Sequence, residues 1–199
     1  MGEALPCEGW RAVDVLGHVG AAVQFGTALV TGTKPGWQPI EPPGDAVGMD
    51  RLGWWADILG PARESLKDLD IYRFVDTPLG KREIGKGLSF PAVDLYVHAW
   101  DLGAVAKMKV EIPRGMIEFA HSLIDQIPAS QVRSSRVFAP ERLLLLTATP
   151  SEAFIAWTGR DPLWTFFGSI DTHVDEFRLS YGSLRSIGPQ ESITSARVA

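Results

Sequence analysis

His98 has a carboxylate at helical spacing on each side. Asp94 lies four residues before His98, and Asp101 lies three residues after it. Residues three or four positions apart share one face of an α-helix, about 5–6 Å apart at Cβ, so Asp94 and His98 can point into the same space. His18, among the core-facing residues of another predicted helix, would supply a third ligand. This pattern predicts a divalent-metal site of two histidines and one carboxylate, which leaves a position for water or substrate.

The same spacing has a simpler interpretation. An Asp four residues before a His is common as an ion pair on a helix surface, and a buried His is often a core residue with no ligand. His121 and Asp125 repeat the spacing, and we interpret that pair as a solvated or locally paired face. His173 lies in an irregular C-terminal stretch. Spacing alone leaves the ion pair and the metal site both open.

Apolar residues recur with helical periodicity in several segments that would position these side chains. Asp50 is the predicted N-cap of the second segment and Ser89 that of the third, with Pro91 in its first turn. Gly17 and Gly20 lower helix propensity in the first segment, but small residues also let a neighbour pack closely. Pro61 would kink or split the second segment. The predicted helices span about residues 11–30, 50–69, 89–108, 114–127 and 151–158.

The connections complete the predicted architecture. Residues 32–50 are rich in Gly and Pro and are typical of a long loop, and residues 71–88 indicate short extended pieces, such as a small hairpin. The fold class is therefore predicted to be all-α, an up-and-down helical bundle with a small irregular or hairpin insertion. Residues 1–165 would form this domain, and residues 166–199 an irregular tail.

Composition excludes several classes of protein. The chain has 199 residues, of which 45% are hydrophobic and 22% charged, as in an ordinary globular protein. Its net charge of −5 argues against a general nucleic-acid binder. The single cysteine excludes an intrachain disulfide framework. We find neither a signal-peptide pattern nor a purely apolar run long enough for a bilayer, and we expect a cytoplasmic protein with no membrane partner.

Three motifs, in this order, resemble those of a known group of proteins. Residues 6–10 read Pro-Cys-Glu-Gly-Trp and residues 13–19 read Val-Asp-Val-Leu-Gly-His-Val. Residues 94–102 read Asp-Leu-Tyr-Val-His-Ala-Trp-Asp-Leu, and residues 159–164 read Gly-Arg-Asp-Pro-Leu-Trp. Together they resemble the DinB/YfiT-like helical bundles close to the N-terminal domain of mycothiol-dependent maleylpyruvate isomerase, an actinobacterial group.

The resemblance implies a four-helix bundle whose metal ligands are His18, Asp94 and His98. Where this chain has Asp94, the isomerase usually has Glu, and Asp101 corresponds to a supporting or structural residue of the group's motif. Only five residues precede Pro6, so the usual first helix of the bundle is expected to be missing. The residues after position 166 are too few for the second domain of the isomerase.

These observations lead to an expected function. The chain would bind a divalent metal, zinc first, with nickel or iron also suited to the ligands. It would act on a small electrophile with a low-molecular-weight thiol, mycothiol by resemblance, as an isomerase or S-transferase. The alternatives are a metal-binding stress-response protein without turnover, and a metal-dependent hydrolase in which Asp101 would be the general base. A homodimer is expected, because a bundle without its first helix exposes an apolar groove beside His18.

Overall fold

The computed structural model describes residues 9–33, 40–77, 80–133, 137–144 and 146–164. In this part of the chain there are six α-helices, one 3₁₀ turn and one two-stranded sheet. The prediction of a mainly helical fold is confirmed, with a small sheet in addition. The DinB-like four-helix bundle stays a prediction. The predicted tail, with His173, lies outside the described residues.

The first helix, α1, spans Ala12–Thr31, close to its predicted bounds, and ends at Gly32 in the left-handed conformation (φ 70°). Two of its glycines permit close packing, as predicted. A Cβ added to Gly17 would lie 2.0 Å from the carbonyl oxygen of Pro43, in the 3₁₀ turn Pro43–Ala46. A Cβ added to Gly20 would lie 2.3 Å from the ring of Trp54 in the second helix.

The second helix, α2, spans Arg51–Ser65, and Asp50 caps it as predicted by accepting a hydrogen bond from the Gly53 N–H. Pro61 lies inside the helix and does not split it. The helix ends at Ser65, before the predicted end near residue 69.

A hairpin follows, in which β1 (Phe74–Thr77) pairs antiparallel with β2 (Gly80–Glu83). The hairpin is confirmed, but the prediction that extended structure continues to residue 88 is wrong. Helix α3 begins directly after β2 and spans Ile84–Val105.

Ser89 and Pro91 therefore do not start α3. The Ser89 hydroxyl donates to the Gly85 carbonyl one turn earlier, and Pro91 lies in the helix interior. Tertiary packing explains the earlier start: Ile84 is fully buried in a cluster with Leu29, Val30 and Val75. That burial outweighs the low helix propensity of the glycines in the first turns.

Three shorter helices complete the described chain: α4 (Arg114–Ile124), α5 (Ala129–Val132) and α6 (Pro150–Trp157). Helix α4 ends before the predicted limit of residue 127, and Pro128 is the N-cap residue of α5. A capping box of Thr149 and Glu152 begins α6.

The core places α3 between two sets of partners. One face of α3 packs with α4 and α6, and another packs with α1 near Trp10 and Trp55. The first cluster includes buried Val93, Val97, Trp100, Ala104, Ala120, Ile124, Phe154 and Ile155, and the second includes Val15 and Val19. Side chains on different faces of α3 can thus contact either α1 or the helices α4 and α6.

By length and composition α1 could also cross a membrane, although the sequence contains no purely apolar run of that length. Half of its apolar window is buried in the fold, and it lies near the N-terminus. Both the core helix of a soluble protein and a signal sequence meet the same test, so this property is weak evidence.

Candidate metal centre

Helices α1 and α3 bring the three predicted ligands together. One ligand atom from each of His18, Asp94 and His98 lies within 4.8 Å of the other two. Asp94 stands between the imidazoles, with Oδ2 2.8 Å from Nε2 of His18 and Oδ1 3.4 Å from Nε2 of His98. Within the described residues, this is the one group of candidate ligands close enough to share an ion.

Helical geometry produces this convergence. Asp94 and His98 are one turn apart on α3, and the neighbouring positions Val93 and Val97 are buried, which fixes the rotation of the helix. On α1, His18 lies between buried Gly17 and Val19 and reaches Asp94 across the contact between the helices.

The site has a buried floor and an open rim. The His98 side chain is 8% exposed, whereas His18 is 36% and Asp94 37% exposed. A cleft of about 1500 Å³ borders all three residues and extends along α1 and α3. Its wall includes the aromatic side chains of Trp10, Phe25, Trp54 and Phe90. A small molecule could therefore reach an ion held here from the rim.

Trp10 covers the imidazoles. Its ring stacks on that of His98 at 5.9 Å between centroids, with 17° between the planes, and lies 5.1 Å from that of His18. In the sequence Trp10 stands out only as part of a motif, and this contact was not predicted. The signal available was the Gly-Trp step just before the predicted first helix.

Both aspartates of the site are held ionised. Burial alone would raise the pKa of Asp94, but the hydrogen bond with His18 and the nearby His98 outweigh it and hold that pKa well below its usual range. Burial likewise opposes ionisation of Asp101, and the interactions with His98 and Arg160 lower its pKa. The centre therefore carries negative charge beside two nitrogen donors, which suits a cation.

Asp101 contacts the opposite side of the His98 ring. Oδ2 of Asp101 lies 2.7 Å from Nδ1 of His98, and the Asp101 side chain is fully buried. Arg160, in the turn after α6, donates from Nε to Oδ1 at 2.7 Å and from Nη2 to Oδ2 at 3.0 Å. The sequence interpretation of Asp101 as a supporting residue agrees with these contacts. Arg160 was not singled out, although the Gly-Arg-Asp-Pro motif contains it.

The pair of His121 and Asp125 differs from the solvated or locally paired face that we expected. His121 is partly buried, with its ring 4.5 Å from that of Trp157 and 5.8 Å from that of Phe154. Asp125 is exposed. His121 therefore contributes to aromatic packing between α4 and α6, and it does not join the metal cluster.

Comparison of the chain with models of protein families, with curated proteins and with solved structures finds no match.

Proposed function

We propose that this chain binds one divalent metal ion through His18, Asp94 and His98, and uses it in thiol-dependent isomerisation or S-transfer on a small electrophile. The convergence of two imidazole nitrogens and one carboxylate from two helices is the observation that carries the proposal. The resemblance of the sequence motifs to the mycothiol-dependent isomerase group suggests the class of reaction.

The distances between the ligand atoms are close to those around a bound ion. Bonds of about 2.0–2.2 Å to a tetrahedral zinc ion place its ligand atoms roughly 3.3–3.5 Å apart. The distance from His98 to Oδ1 of Asp94, 3.4 Å, already lies in that range, whereas the 2.8 Å from His18 to Oδ2 is a hydrogen bond. A bound ion would replace that hydrogen bond and bring the three ligand atoms, which lie within 4.8 Å of one another, to its own spacing.

The remaining features suit an exchangeable ligand. Three protein ligands leave a further position open, as in catalytic zinc sites. A bound metal would lower the pKa of a coordinated thiol and present it as a thiolate. The exposed rim at His18 and Asp94 would admit the thiol, mycothiol by resemblance. The aromatic wall of the cleft would hold a small electrophile beside it and limit the access of water.

Two alternatives differ in their support. A hydrolase would need a general base at the metal, and Asp101 was the residue considered. Asp101 is fully buried and engaged with His98 and Arg160, so it does not reach a water in the cleft. The buried position of Asp101 therefore argues against the hydrolase. A metal-binding stress-response protein without turnover remains the competing function.

Metal analysis of the purified chain tests the binding claim. We expect close to one ion per chain after loading with zinc, and a large loss of metal in His18→Ala and in His98→Ala. His121→Ala is the matched control, because this partly buried histidine lies outside the cluster. Retention of metal by both cluster variants would refute the site.

A spectroscopic titration separates the enzyme from the non-catalytic alternative. Cobalt-loaded protein should gain a thiolate-to-metal absorption band when a small thiol is added, and the band should be absent from His18→Ala. A chain that binds cobalt tightly but gains no such band would favour metal binding without thiol chemistry.

A further inference from the structure

We propose that Asp101 and Arg160 are positioning residues that fix the tautomer and ring orientation of His98, so that its Nε2 lone pair points to Asp94. The metal-affinity part of this inference rests on the proposed function, whereas the tautomer part does not. A continuous series of contacts carries the inference, from Arg160 through Asp101 and His98 to Asp94 and His18.

The guanidinium fixes the carboxylate first. Arg160 is 8% exposed and contacts both oxygens of Asp101, at 2.7 and 3.0 Å. A bidentate contact of this kind sets the plane of the carboxylate as well as its position. It also compensates the burial of a charged group that is otherwise costly.

The carboxylate then selects the His98 tautomer. An ionised carboxylate only accepts hydrogen bonds, so Nδ1 of His98, at 2.7 Å from Oδ2, must be the donor. In a neutral imidazole the proton on Nδ1 leaves Nε2 as the lone-pair nitrogen. That nitrogen faces Oδ1 of Asp94 at 3.4 Å, so two acceptors point at one place, which a metal ion or a second ring proton would occupy.

The fold holds Arg160 in position from a distant part of the chain. It lies 59 residues after Asp101 and directly after Gly159, which has a left-handed backbone (φ 88°). A Cβ added to Gly159 would lie 2.6 Å from Cβ of Ala139, and Arg142 donates from Nε to the Gly159 carbonyl at 3.0 Å. The turn after α6 is thus built to hold the guanidinium against α3.

A purely structural ion pair between α3 and the α6 turn is the competing explanation. Loss of such a pair would lower thermal stability without changing the His98 tautomer. The tautomer is therefore the decisive readout, and it can be measured on metal-free protein.

The experiment combines nitrogen-15 NMR of the histidine rings, recorded across a pH series so that the spectra themselves identify the neutral form of His98, with zinc competition against a chelator. In the parent, we expect His98 protonated on Nδ1. In Asp101→Asn, we expect a substantial fraction of His98 to be protonated on Nε2. The amide has only one oxygen to accept from Arg160, so its NH₂ group would donate to Nδ1 of His98. Zinc affinity should fall about 10- to 100-fold. Arg160→Lys keeps the positive charge but loses the bidentate guanidinium. Its tautomer fraction and its zinc affinity should lie between those of the parent and those of Asp101→Asn.

Ile84→Ala is the matched control. Ile84 is fully buried on the same helix but in the cluster near the hairpin. It should lower the melting temperature while leaving the tautomer and the zinc affinity as in the parent. An unchanged tautomer in folded Asp101→Asn and in Arg160→Lys would overturn the inference. If the parent chain binds no zinc but the His98 tautomer still changes in Asp101→Asn, the proposed function is refuted and the positioning role stands.

Discussion

Replacing Gly17 with alanine tests how closely the 3₁₀ turn packs on α1, beside His18. A Cβ at Gly17 would lie 2.0 Å from the carbonyl oxygen of Pro43, which is backbone and cannot move aside by rotating a side chain. The turn or the helix must therefore shift by roughly 1 Å. A hydrogen bond also holds this turn against α1, because the Gly44 N–H donates to Oδ1 of Asp14 at 3.1 Å.

The expected magnitude follows from two opposing effects. Overpacking a well-packed contact costs about 1–3 kcal/mol, whereas replacing a helical glycine with alanine contributes about 1 kcal/mol in favour of folding. Because the obstacle at Gly17 is backbone, we expect the first effect to prevail, with a net loss of up to about 2 kcal/mol. For a chain of this length, the melting temperature should fall by up to about 8 °C.

Gly115→Ala provides the control. Gly115 lies in the first turn of α4, and nothing would lie within 4 Å of its added Cβ. The same chemical change should therefore stabilise the protein by roughly 0.5 kcal/mol. Thermal unfolding followed by circular dichroism would measure both variants. A shift of the same sign in Gly17→Ala and Gly115→Ala would refute the packing argument, because helix propensity alone would then account for both.

Three further predictions concern charge and assembly. The hydrogen bond from Arg11 holds the pKa of Asp14 at about 2, against an ordinary value of 3.8. Ionised Asp14 thus stabilises the fold above about pH 4, and this contribution is lost as the pH falls through about 2. Asp14→Asn should be less stable than the parent at neutral pH and should converge with it in that window, as measured by melting curves across pH. Asp94→Asn should fold normally, since the side chain is 37% exposed, yet lose at least about tenfold in zinc affinity by chelator competition. The predicted homodimer should appear in sedimentation analysis, and a strict monomer at high concentration would contradict it.

The placement of Asp94 beside His98 could be predicted because it depends on local regularities, whereas the contact of His18 with Asp94 joins positions 76 residues apart and was implied by the resemblance. Helical spacing places Asp94 and His98 on one face, and the periodicity of α1 places His18 toward the core. The capping role of Asp50 is equally local and was also predicted. Such features follow from a few neighbouring residues.

Features set by tertiary packing could not be predicted in this way. Ser89 and Pro91 are typical of a helix start, but burial of Ile84 extends α3 by five residues towards the hairpin, from the predicted start at Ser89 to Ile84. The contact of Arg160 with Asp101 joins positions 59 residues apart, and no periodicity encodes it. The stacking of Trp10 on His98 is of the same kind.

The His98 ring connects the two sides of α3, and this predicts a thermodynamic coupling. Its Nδ1 contacts Asp101, which Arg160 holds from the α6 turn, while its Nε2 faces Asp94 and α1. An ion bound at Nε2 would therefore favour the arrangement in which the α6 turn is docked, and docking of that turn would favour the ion.

Melting temperatures measure this coupling directly. A ligand that binds only the folded state adds about 2.7 kcal/mol at 100 times its Kd, which is about 5–10 °C for a chain of this size. The parent should show that increase on addition of zinc. At the same zinc concentration Arg160→Lys should show a smaller increase, because weaker affinity reduces the ratio of zinc to Kd. An equal increase in both proteins would mean that the α6 turn and the metal centre are independent, even though the ring of His98 lies between them.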